Sequence, residues 1–234
     1  MFDKTAQASW NEWAKERPDV LESVQRGPDL DESRRVAEDV ARKLQLGPSD
    51  VLLDVGCGSG LFDSLLRELT GARVVGADFA HAQCALGRRH FPDMGFVAAA
   101  AEHLPFADGQ FSRILCYGTW MYVESREETL RGFLRVLRRP GIILLGDLPD
   151  RRLRHWLYLE YLKRLPGHLV RPWRWLRKAH DARHQATWQW VDLETTVACA
   201  EAFGCRVEVL TQPPGRQYGI TTYIYRRDVR LWVD

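Results

Sequence analysis

One stretch in the first third of the chain limits what the chain can fold into. It reads V-L-L-D-V-G-C-G-S-G from Val51 to Gly60, an apolar run that ends in an acid and continues into alternating glycines. The apolar run predicts a buried strand, and the glycines predict a tight turn, because glycine accepts positive φ and close backbone approach. Residues 61–69 then predict a helix with one apolar face. Strand, glycine turn and helix form a nucleotide-binding βα unit, in which N–H groups at the helix start face the ligand.

The spacing of the glycines indicates which ligand this turn suits. The dinucleotide fingerprint is G-x-G-x-x-G, whereas here the third glycine, Gly60, comes one residue early and Leu61 stands in the last position. The spacing therefore argues against NAD or FAD. An acid follows at Asp78, close to the offset of about 20 residues at which an acid binds a nucleoside ribose. A carboxylate can accept from two neighbouring hydroxyls; the alternative for Asp78 is an aspartate of a surface turn.

The segment D-V-G-C-G-S-G resembles motif I of the class I S-adenosylmethionine-dependent methyltransferases. Two further segments are similar to the same family: A-A-E-H-L-P-F to its D-A-E-x-L-P-F, and L-R-R-P-G-I-I-L-L to its L-K-P-G-G turn. The resemblance covers about residues 45–147, and residues 191–227 at the level of pattern. It implies S-adenosyl-L-methionine as cofactor. It also implies an α/β fold with a doubly wound, seven-stranded, mostly parallel sheet and an antiparallel C-terminal hairpin.

The resemblance also implies which residues bind the cofactor. In the turn these are Asp54, Gly56, Cys57, Gly58 and Gly60, and beyond it they are Asp78 for the ribose, Phe79 beside the adenine, Ala101 and Glu102 at the adenine edge, and Tyr117. The acid that leads the family's adenine segment is replaced by Ala100, so the adenine contact depends on the backbone of the two following residues. No metal site is expected, because no zinc-ligand spacing is present.

The length and the pattern predict one methyltransferase domain over residues 1–234. We expect an N-terminal helical cap (1–46), a cofactor-binding core (47–150), a helical insert after the fifth strand (151–190), and a C-terminal helix with a strand hairpin (191–234). Strands 206–211 and 218–225 are predicted to form that hairpin. Trp10 and Trp13 of the cap lie at a spacing that fits core packing, while in the family this region often covers the cofactor.

The predicted insert has a composition of its own. From Arg151 to Arg183 it holds ten Lys or Arg and only two acids, together with three tryptophans. Such a segment suits an anionic small substrate, an anionic membrane surface contacted through residues 151–178, or nucleic acid. The alternative is a lid whose arginines are solvated. Because the net charge of the chain is only +2, and nucleic-acid binders are usually basic, we favour a small-molecule acceptor and consider nucleic acid a weaker alternative.

Methyl transfer from a sulfonium needs alignment more than it needs acid–base chemistry. Holding the nucleophile in line with the methyl carbon supplies most of the acceleration, and a base helps when the acceptor is a hydroxyl or an acidic carbon. The candidates for that base are Tyr117, Asp147 and His155. The alternative for Asp147 is a residue that caps the end of a strand, and the alternative for His155 is a solvated surface side chain. The expected function is O- or N-methylation of a small, anionic or lipid-linked acceptor. A nucleic-acid methyltransferase and a non-catalytic cofactor-binding interaction protein are the alternatives.

Cysteine usage and hydropathy bear on where the chain works. The chain has five cysteines without a C-x-x-C pair, which fits buried free thiols in a reducing compartment. The first residues lack a basic-then-apolar signal pattern, and no apolar run approaches the ~20 residues that span a bilayer. We therefore expect a cytoplasmic biosynthetic enzyme. The sequence carries no signal for its oligomeric state.

Overall fold

The computed structural model describes residues 4–20, 29–155, 189–213, 216–217, 220–221 and 226–234. The α-helices in these ranges are α1 (Lys4–Glu16), α2 (Leu30–Leu44), α3 (Leu61–Thr70), α4 (His81–His90), α5 (Arg126–Val136) and α6 (Leu193–Ala202). The strands are β1 (Val51–Val55), β2 (Arg73–Asp78), β3 (Gly95–Ala98), β4 (Phe111–Tyr117), β5 (Leu137–Pro149), β6 (Arg206–Thr211), β7 (Arg216–Gln217), β8 (Ile220–Thr221) and β9 (Arg226–Val233). Short 3-10 turns occupy Trp120–Tyr122 and Arg151–Leu153.

Seven of these strands form one sheet in the order β3-β2-β1-β4-β5-β9-β6. The first five are parallel, and β9 runs antiparallel to both β5 and β6. This confirms the predicted α/β fold, with its mostly parallel seven-stranded sheet and its antiparallel C-terminal strands. Since the chain runs outward from β1 through β2 to β3 and then returns to β4 on the other side, the strand order reverses between β1 and β4.

The sheet has a core on each face because successive residues of a strand point to opposite sides. On one face Leu52 is in a buried cluster with Val40 of α2 and Leu66 of α3. On the other face Leu53 is in a cluster with Phe133 of α5. The near-continuous apolar sequence of β1 is therefore explained by burial on both sides, as expected for a central parallel strand.

Helix α1 is fastened to the loop that follows β2. The Gln7 side-chain amide donates to the Phe79 carbonyl at 2.7 Å, and the Asn11 side-chain oxygen accepts from the Ala82 N–H at 2.8 Å. The first residue before α4, Ala80, has no side chain that can cap the helix. Asn11 therefore satisfies a free N–H group at the start of α4 that a capping residue would otherwise bind.

The last strand of the main sheet lies later than the sequence predicts. Residues 218–225 were expected to pair with β6, but the partner of β6 is β9, Arg226–Val233, so this prediction is wrong. The sequence of β9 is R-R-D-V-R-L-W-V. Because half of these residues are charged, it lacks the apolar pattern from which a buried strand is predicted. These charges include Asp228, which is fully buried and pairs with the Lys43 ammonium at 2.6 Å.

The two ends of the predicted insert lie side by side. Asp150 and Val191 form a bridge between parallel segments, and the Arg151 N–H donates to the Val191 carbonyl at 3.0 Å. Residues 156–188, to which most of the predicted helical insert and its membrane contact belong, lie outside the described residues. In the described ranges no helix is long and apolar enough to cross a membrane. The membrane contact through residues 151–178 remains a prediction.

Candidate functional site

A cavity of about 190 Å³ lies at the carboxyl ends of β1, β2 and β4, where the strand order reverses. Open α/β sheets bind ligands at this position. Six of the predicted cofactor-binding residues in the turn and after β2 line it, namely Asp54, Gly56, Cys57, Gly58, Asp78 and Phe79. Tyr117 and Asp147, two candidates for the base, line it as well. The structure thus brings the turn and the candidate bases to one cavity.

The three glycines of the turn meet different surroundings. All have positive φ: 85° at Gly56, 56° at Gly58 and 79° at Gly60. A Cβ at Gly56 would lie 1.9 Å from the Thr119 hydroxyl, and one at Gly60 would lie 2.5 Å from the Phe96 ring, whereas one at Gly58 would meet nothing within 4 Å. Gly56 and Gly60 are therefore required by packing. Gly58 borders open space in the cavity, where its backbone is accessible to a ligand.

Asp78 is held by the backbone on both of its carboxylate oxygens. One accepts from the Gly58 N–H at 2.9 Å and the other from the Ala80 N–H at 2.8 Å. Burial raises the pKa of Asp78 to about 6. The hydrogen bonds from the two N–H groups favour the carboxylate and lower the pKa, but burial has the larger effect. Each oxygen keeps a second lone pair, so Asp78 can still accept from the two hydroxyls of a ribose.

Asp54 presents a carboxylate to the cavity with one oxygen unsatisfied. Its Oδ1 is buried and has no hydrogen-bond partner among the described residues. Burial raises the pKa of Asp54 to about 7, while a hydrogen bond with Asp63 of α3 lowers it. Asp54 lines the cavity, so its carboxylate offers a negative charge and an acceptor to a ligand there. Together with the open backbone at Gly58 and the Asp78 carboxylate, it fits a cofactor that has an α-ammonium and a ribose.

On the other side of the cavity, Tyr117 is held by a chain of polar contacts. Its ring stacks on Phe62 with the centroids 5.5 Å apart. Its hydroxyl accepts from the Gln212 amide at 3.1 Å, and the same amide donates to Asp228 at 2.9 Å. Asp228 in turn pairs with Lys43, so the chain of contacts runs from β4 through β9 to α2. The orientation of Tyr117 is therefore set by residues distant in sequence.

Asp147 is a wall residue of the cavity that is engaged by Arg226. Its carboxylate lies 2.7 Å from the Arg226 guanidinium, which also donates to the Asp147 carbonyl at 2.8 Å. Asp147 has a φ of 61°, at an irregularity in the pairing of β5 with β9. Positive φ in a residue other than glycine is uncommon, and here the backbone is held by the Asp147 N–H, which donates to Asp228 at 2.9 Å.

Four predicted site residues do not line this cavity. Ala101 packs against the core, and the Glu102 carboxylate accepts from the Glu124 N–H at 3.2 Å. Gly60 faces Phe96, and His155 is exposed just after the 3-10 turn at 151–153. Their roles as cofactor or base residues stay predictions. Among the residues that the structure describes, no group of three or more His, Cys, Asp or Glu could hold a metal ion.

Several lining residues were not predicted as site residues from the sequence. They are Ser33, Phe62, Gln83, Thr119 and Tyr122, and Trp10 joins them from α1. Trp10 contacts Tyr122 edge to face, with ring centroids 6.3 Å apart. Thr119 lies two residues after β4, and Phe62 lies in the first turn of α3 after the glycine turn, so their closeness to the strand ends was a usable signal. Ser33 and Gln83 carried no such signal, because each lies within a helix whose orientation the sequence does not show.

The core of the chain is similar in sequence to known proteins. Residues 53–145 match the family model described as a methyltransferase domain. The methyltransferase GfsG of Streptomyces halstedii is 32% identical over 127 residues, which are 52% of this chain and 46% of that protein. A demethylmenaquinone methyltransferase of Paenarthrobacter aurescens is 30% identical over 138 residues, 58% of this chain and 54% of that protein. The chain thus spans about half the length of the curated relatives that it matches.

The fold has solved counterparts. An S-adenosyl-L-methionine-dependent methyltransferase from Methanococcus maripaludis superposes with a TM-score of 0.60 and 14% sequence identity, and the match covers 99% of this chain and 94% of that one. At this identity the likeness shows the fold alone. The sequence match runs from β1 into β5 and includes the glycine turn and Asp78. Sequence match and strand order agree: residues 53–145 carry a methyltransferase domain, on the fold of the class I S-adenosylmethionine-dependent methyltransferases.

Proposed function

We propose that this chain transfers the methyl group of S-adenosylmethionine to a small-molecule acceptor. The observation that carries the proposal is the cradle where the strand order reverses: a Cβ at Gly58 would meet nothing within 4 Å, and Asp54 and Asp78 line the same cavity. The Asp54 carboxylate offers an acceptor there, and a cofactor with an amino-acid part provides the donor. When bound, the cofactor supplies a methyl group on a positively charged sulfur that is already activated for attack.

The residues around the glycine turn have distinct tasks in holding that cofactor. Asp54 binds the α-ammonium, the exposed backbone at Gly58 allows close approach, and Asp78 accepts from the ribose hydroxyls. Because Asp78 also accepts from the Gly58 N–H at 2.9 Å, the ribose site and the turn are fixed to each other. This preorganisation supports catalysis through orientation, which can supply most of the acceleration of a group transfer.

The acceptor side of the cavity is aromatic. Trp10, Phe62, Tyr117 and Tyr122 line it, which favours an acceptor with an apolar or planar body. Asp147, which pairs with Arg226, adds a charged side chain to the same wall. A relative is named for demethylmenaquinone, a molecule of this apolar kind, and this supports the same acceptor class. The charge-rich wall next to an aromatic surface suits an acceptor with one polar reacting group.

Helix α1 forms one wall of the cavity. Pockets that hold a drug-sized ligand usually measure about 300–1,000 Å³, and this cavity, at about 190 Å³, is smaller. Trp10 lies in its wall, and α1 is attached to the loop after β2 through the hydrogen bonds of Gln7 and Asn11. Helix α1 therefore borders the space next to the cofactor site and shields part of it from solvent.

Transfer of a radioactive methyl group tests the proposal. The purified chain is incubated with methyl-labelled S-adenosylmethionine and separate panels of apolar phenols, quinols and amines, anionic small molecules, and RNA. We expect label in a small-molecule panel, and no label above background with Gly58→Val. Label only in RNA would replace the small-molecule proposal with the nucleic-acid alternative. Cofactor binding without transfer to any panel would favour the non-catalytic interaction protein.

A further inference from the structure

Two carboxyl groups face each other behind the glycine turn. Asp63 of α3 is fully buried, and neither of its side-chain oxygens accepts a hydrogen bond from an N–H or O–H donor in the described residues. Its neighbour is Asp54, whose Oδ1 is also unsatisfied. Asp54 lies opposite Gly76 in the pairing of β1 with β2, and a Cβ at Gly76 would lie 3.0 Å from an Asp63 carboxyl oxygen. Two carboxylates offer only acceptors, so a hydrogen bond between them requires a proton on one of the two. The pair therefore holds a proton.

The surroundings decide which carboxyl carries that proton. Burial, followed by the charge of Asp54, raises the pKa of Asp63 well above its usual range. Asp63 is fully buried and does not line the cavity, whereas Asp54 does, so the charged form of Asp63 is the more strongly disfavoured of the two. Asp63 is therefore the donor and Asp54 the acceptor. Asp54, the member that lines the cavity, is the one that ionises first.

We propose that Asp63 is a positioning residue, which donates its proton to Asp54 so that Asp54 meets the cofactor's α-ammonium as a carboxylate, and that cofactor binding is linked to pH through this pair. The inference rests on the proposed function, because it requires a ligand with that ammonium. Asp63 touches no substrate in this account. It acts through Asp54, and its own carboxyl does not line the cavity.

The other titratable groups around the pair are acids. Asp78 faces it from β2, Cys57 from the turn and Cys116 from β4, and Cys84 of α4 contacts Cys57. No lysine or arginine of the described residues shifts the pKa of either Asp54 or Asp63. Within the described ranges no cation of the chain thus offsets the charge of the pair, and the cofactor ammonium would do so. A cation beside Asp54 favours its ionised form, so binding displaces the proton that Asp54 holds in the empty site.

Asp78 is a second group that titrates in the same range. Burial raises the pKa of Asp78 to about 6 and that of Asp54 to about 7, and both line the cavity. Asp78 faces the ribose in the proposed site, whereas Asp54 faces the ammonium. A ligand that keeps the ribose and lacks the ammonium therefore separates their contributions. 5′-Methylthioadenosine is such a ligand.

Calorimetric titration between pH 6 and pH 9 tests the inference. S-Adenosylhomocysteine and 5′-methylthioadenosine are titrated in buffers of different ionisation enthalpy, which yields the dissociation constant and the protons released. The variants are D63L, which removes the donor, and D63N, whose amide still donates but does not titrate. Circular dichroism and thermal melting establish that each variant is folded.

With the wild-type chain, the affinity for S-adenosylhomocysteine should fall about tenfold from pH 8 to pH 6 as Asp54 becomes protonated. About half a proton should be released on binding at pH 7. D63L should bind about fivefold more weakly than the wild type at pH 7 and about equally at pH 9, since loss of the donor raises the pKa of Asp54 by about one unit. D63N should follow the wild type, and D63L should leave binding of 5′-methylthioadenosine unchanged.

Each contrary outcome has its own meaning. An unchanged pH profile in a folded D63L would remove Asp63 from this role while leaving the cofactor site standing. Equal proton release with 5′-methylthioadenosine would assign the linkage to Asp78 and overturn the proposal. If D63L does not fold, the wild-type chain still tests the pH linkage. More protons released with S-adenosylhomocysteine than with 5′-methylthioadenosine would support it, and equal release would overturn it. Absence of S-adenosylhomocysteine binding at every pH would instead refute the proposed function itself.

Discussion

The two sides of the cavity are built in different ways. The cofactor side is formed by Asp54, Gly58 and Asp78, which lie within one βαβ unit and are joined by the hydrogen bond from the Gly58 N–H to Asp78. The acceptor side is formed by Tyr117 and Asp147, which are oriented by Gln212 and Arg226 from the far end of the chain. The cofactor side depends on local backbone conformation, and the acceptor side depends on long-range polar contacts. Substitutions on the two sides should therefore fail differently.

The largest effect is expected at the glycine turn. Gly58→Val should abolish measurable binding of S-adenosylhomocysteine in a folded chain, because the added side chain enters the cavity, with only local strain from the positive φ of 56°. Gly56→Val should instead prevent folding, since its Cβ would lie 1.9 Å from the Thr119 hydroxyl. Calorimetry and thermal melting of both variants separate these outcomes. A folded Gly58→Val chain that still binds would show that the ligand does not approach this backbone.

The next largest effect concerns stability. The pKa of Asp63 is raised in the folded state, so its protonated form is favoured by folding. The resulting penalty is absent below the unfolded pKa of about 3.9 and grows as the pH rises toward the folded value. Asp63→Asn should therefore stabilise the chain by about 2–4 kcal/mol at pH 8 and by little at pH 4. Urea unfolding at the two pH values measures this. A gain that is equal at both would show that Asp63 is not a buried titrating group.

On the cofactor side, Asp78→Ala should weaken S-adenosylhomocysteine binding by about 1–3 kcal/mol, through loss of charge-assisted hydrogen bonds. Part of this loss would come from the turn, since the Gly58 N–H loses its acceptor. The matched control is Asp93→Ala, an exposed acid after α4, which should bind like the wild type. Unchanged affinity of Asp78→Ala would remove Asp78 from the cofactor site.

The smallest effect is expected on the acceptor side. Tyr117→Phe keeps the stacking on Phe62 and removes the hydroxyl that accepts from Gln212. Because the sulfonium methyl is already activated, kcat should fall less than about tenfold and cofactor affinity should stay the same. General acid–base catalysis usually contributes about 10²–10⁴-fold. A fall of that size, measured with a labelled methyl group, would make Tyr117 a general base and overturn the positional role.

The difference between local backbone conformation and long-range polar contacts also explains how much could be predicted from the sequence. Strand β1 was predicted from its apolar run, and the rest of the parallel sheet from the resemblance to the methyltransferase family. Asp54 and Gly58 were found through the family's turn motif, and Asp78 also through its spacing after the turn. The last strand was misplaced because β9 carries charges that are neutralised only by distant partners, such as Asp228 with Lys43. Gln212 and Arg226 were missed for the same reason. No local pattern reports a contact whose two ends are far apart in the chain.

The adenine-edge residues illustrate a second limit. Ala101 and Glu102 were assigned through their resemblance to a family segment whose leading acid is here Ala100. In the structure Glu102 accepts from the Glu124 N–H instead of lining the cavity. The Glu102 side chain thus makes a local contact, while the backbone contact of Ala101 and Glu102 with the adenine stays a prediction. The surroundings of a side chain, and not its position in a motif, decide what it contacts.

Isothermal titration of the purified chain with S-adenosylhomocysteine, beside NADH as a control, tests the central claim most directly. The Asp54–Gly58–Asp78 side predicts micromolar binding of S-adenosylhomocysteine and no heat with NADH, since the turn suits a ligand with an ammonium and a ribose but no pyrophosphate. Absence of S-adenosylhomocysteine binding, or equal binding of NADH, would contradict the assignment of this cavity to the methyl donor.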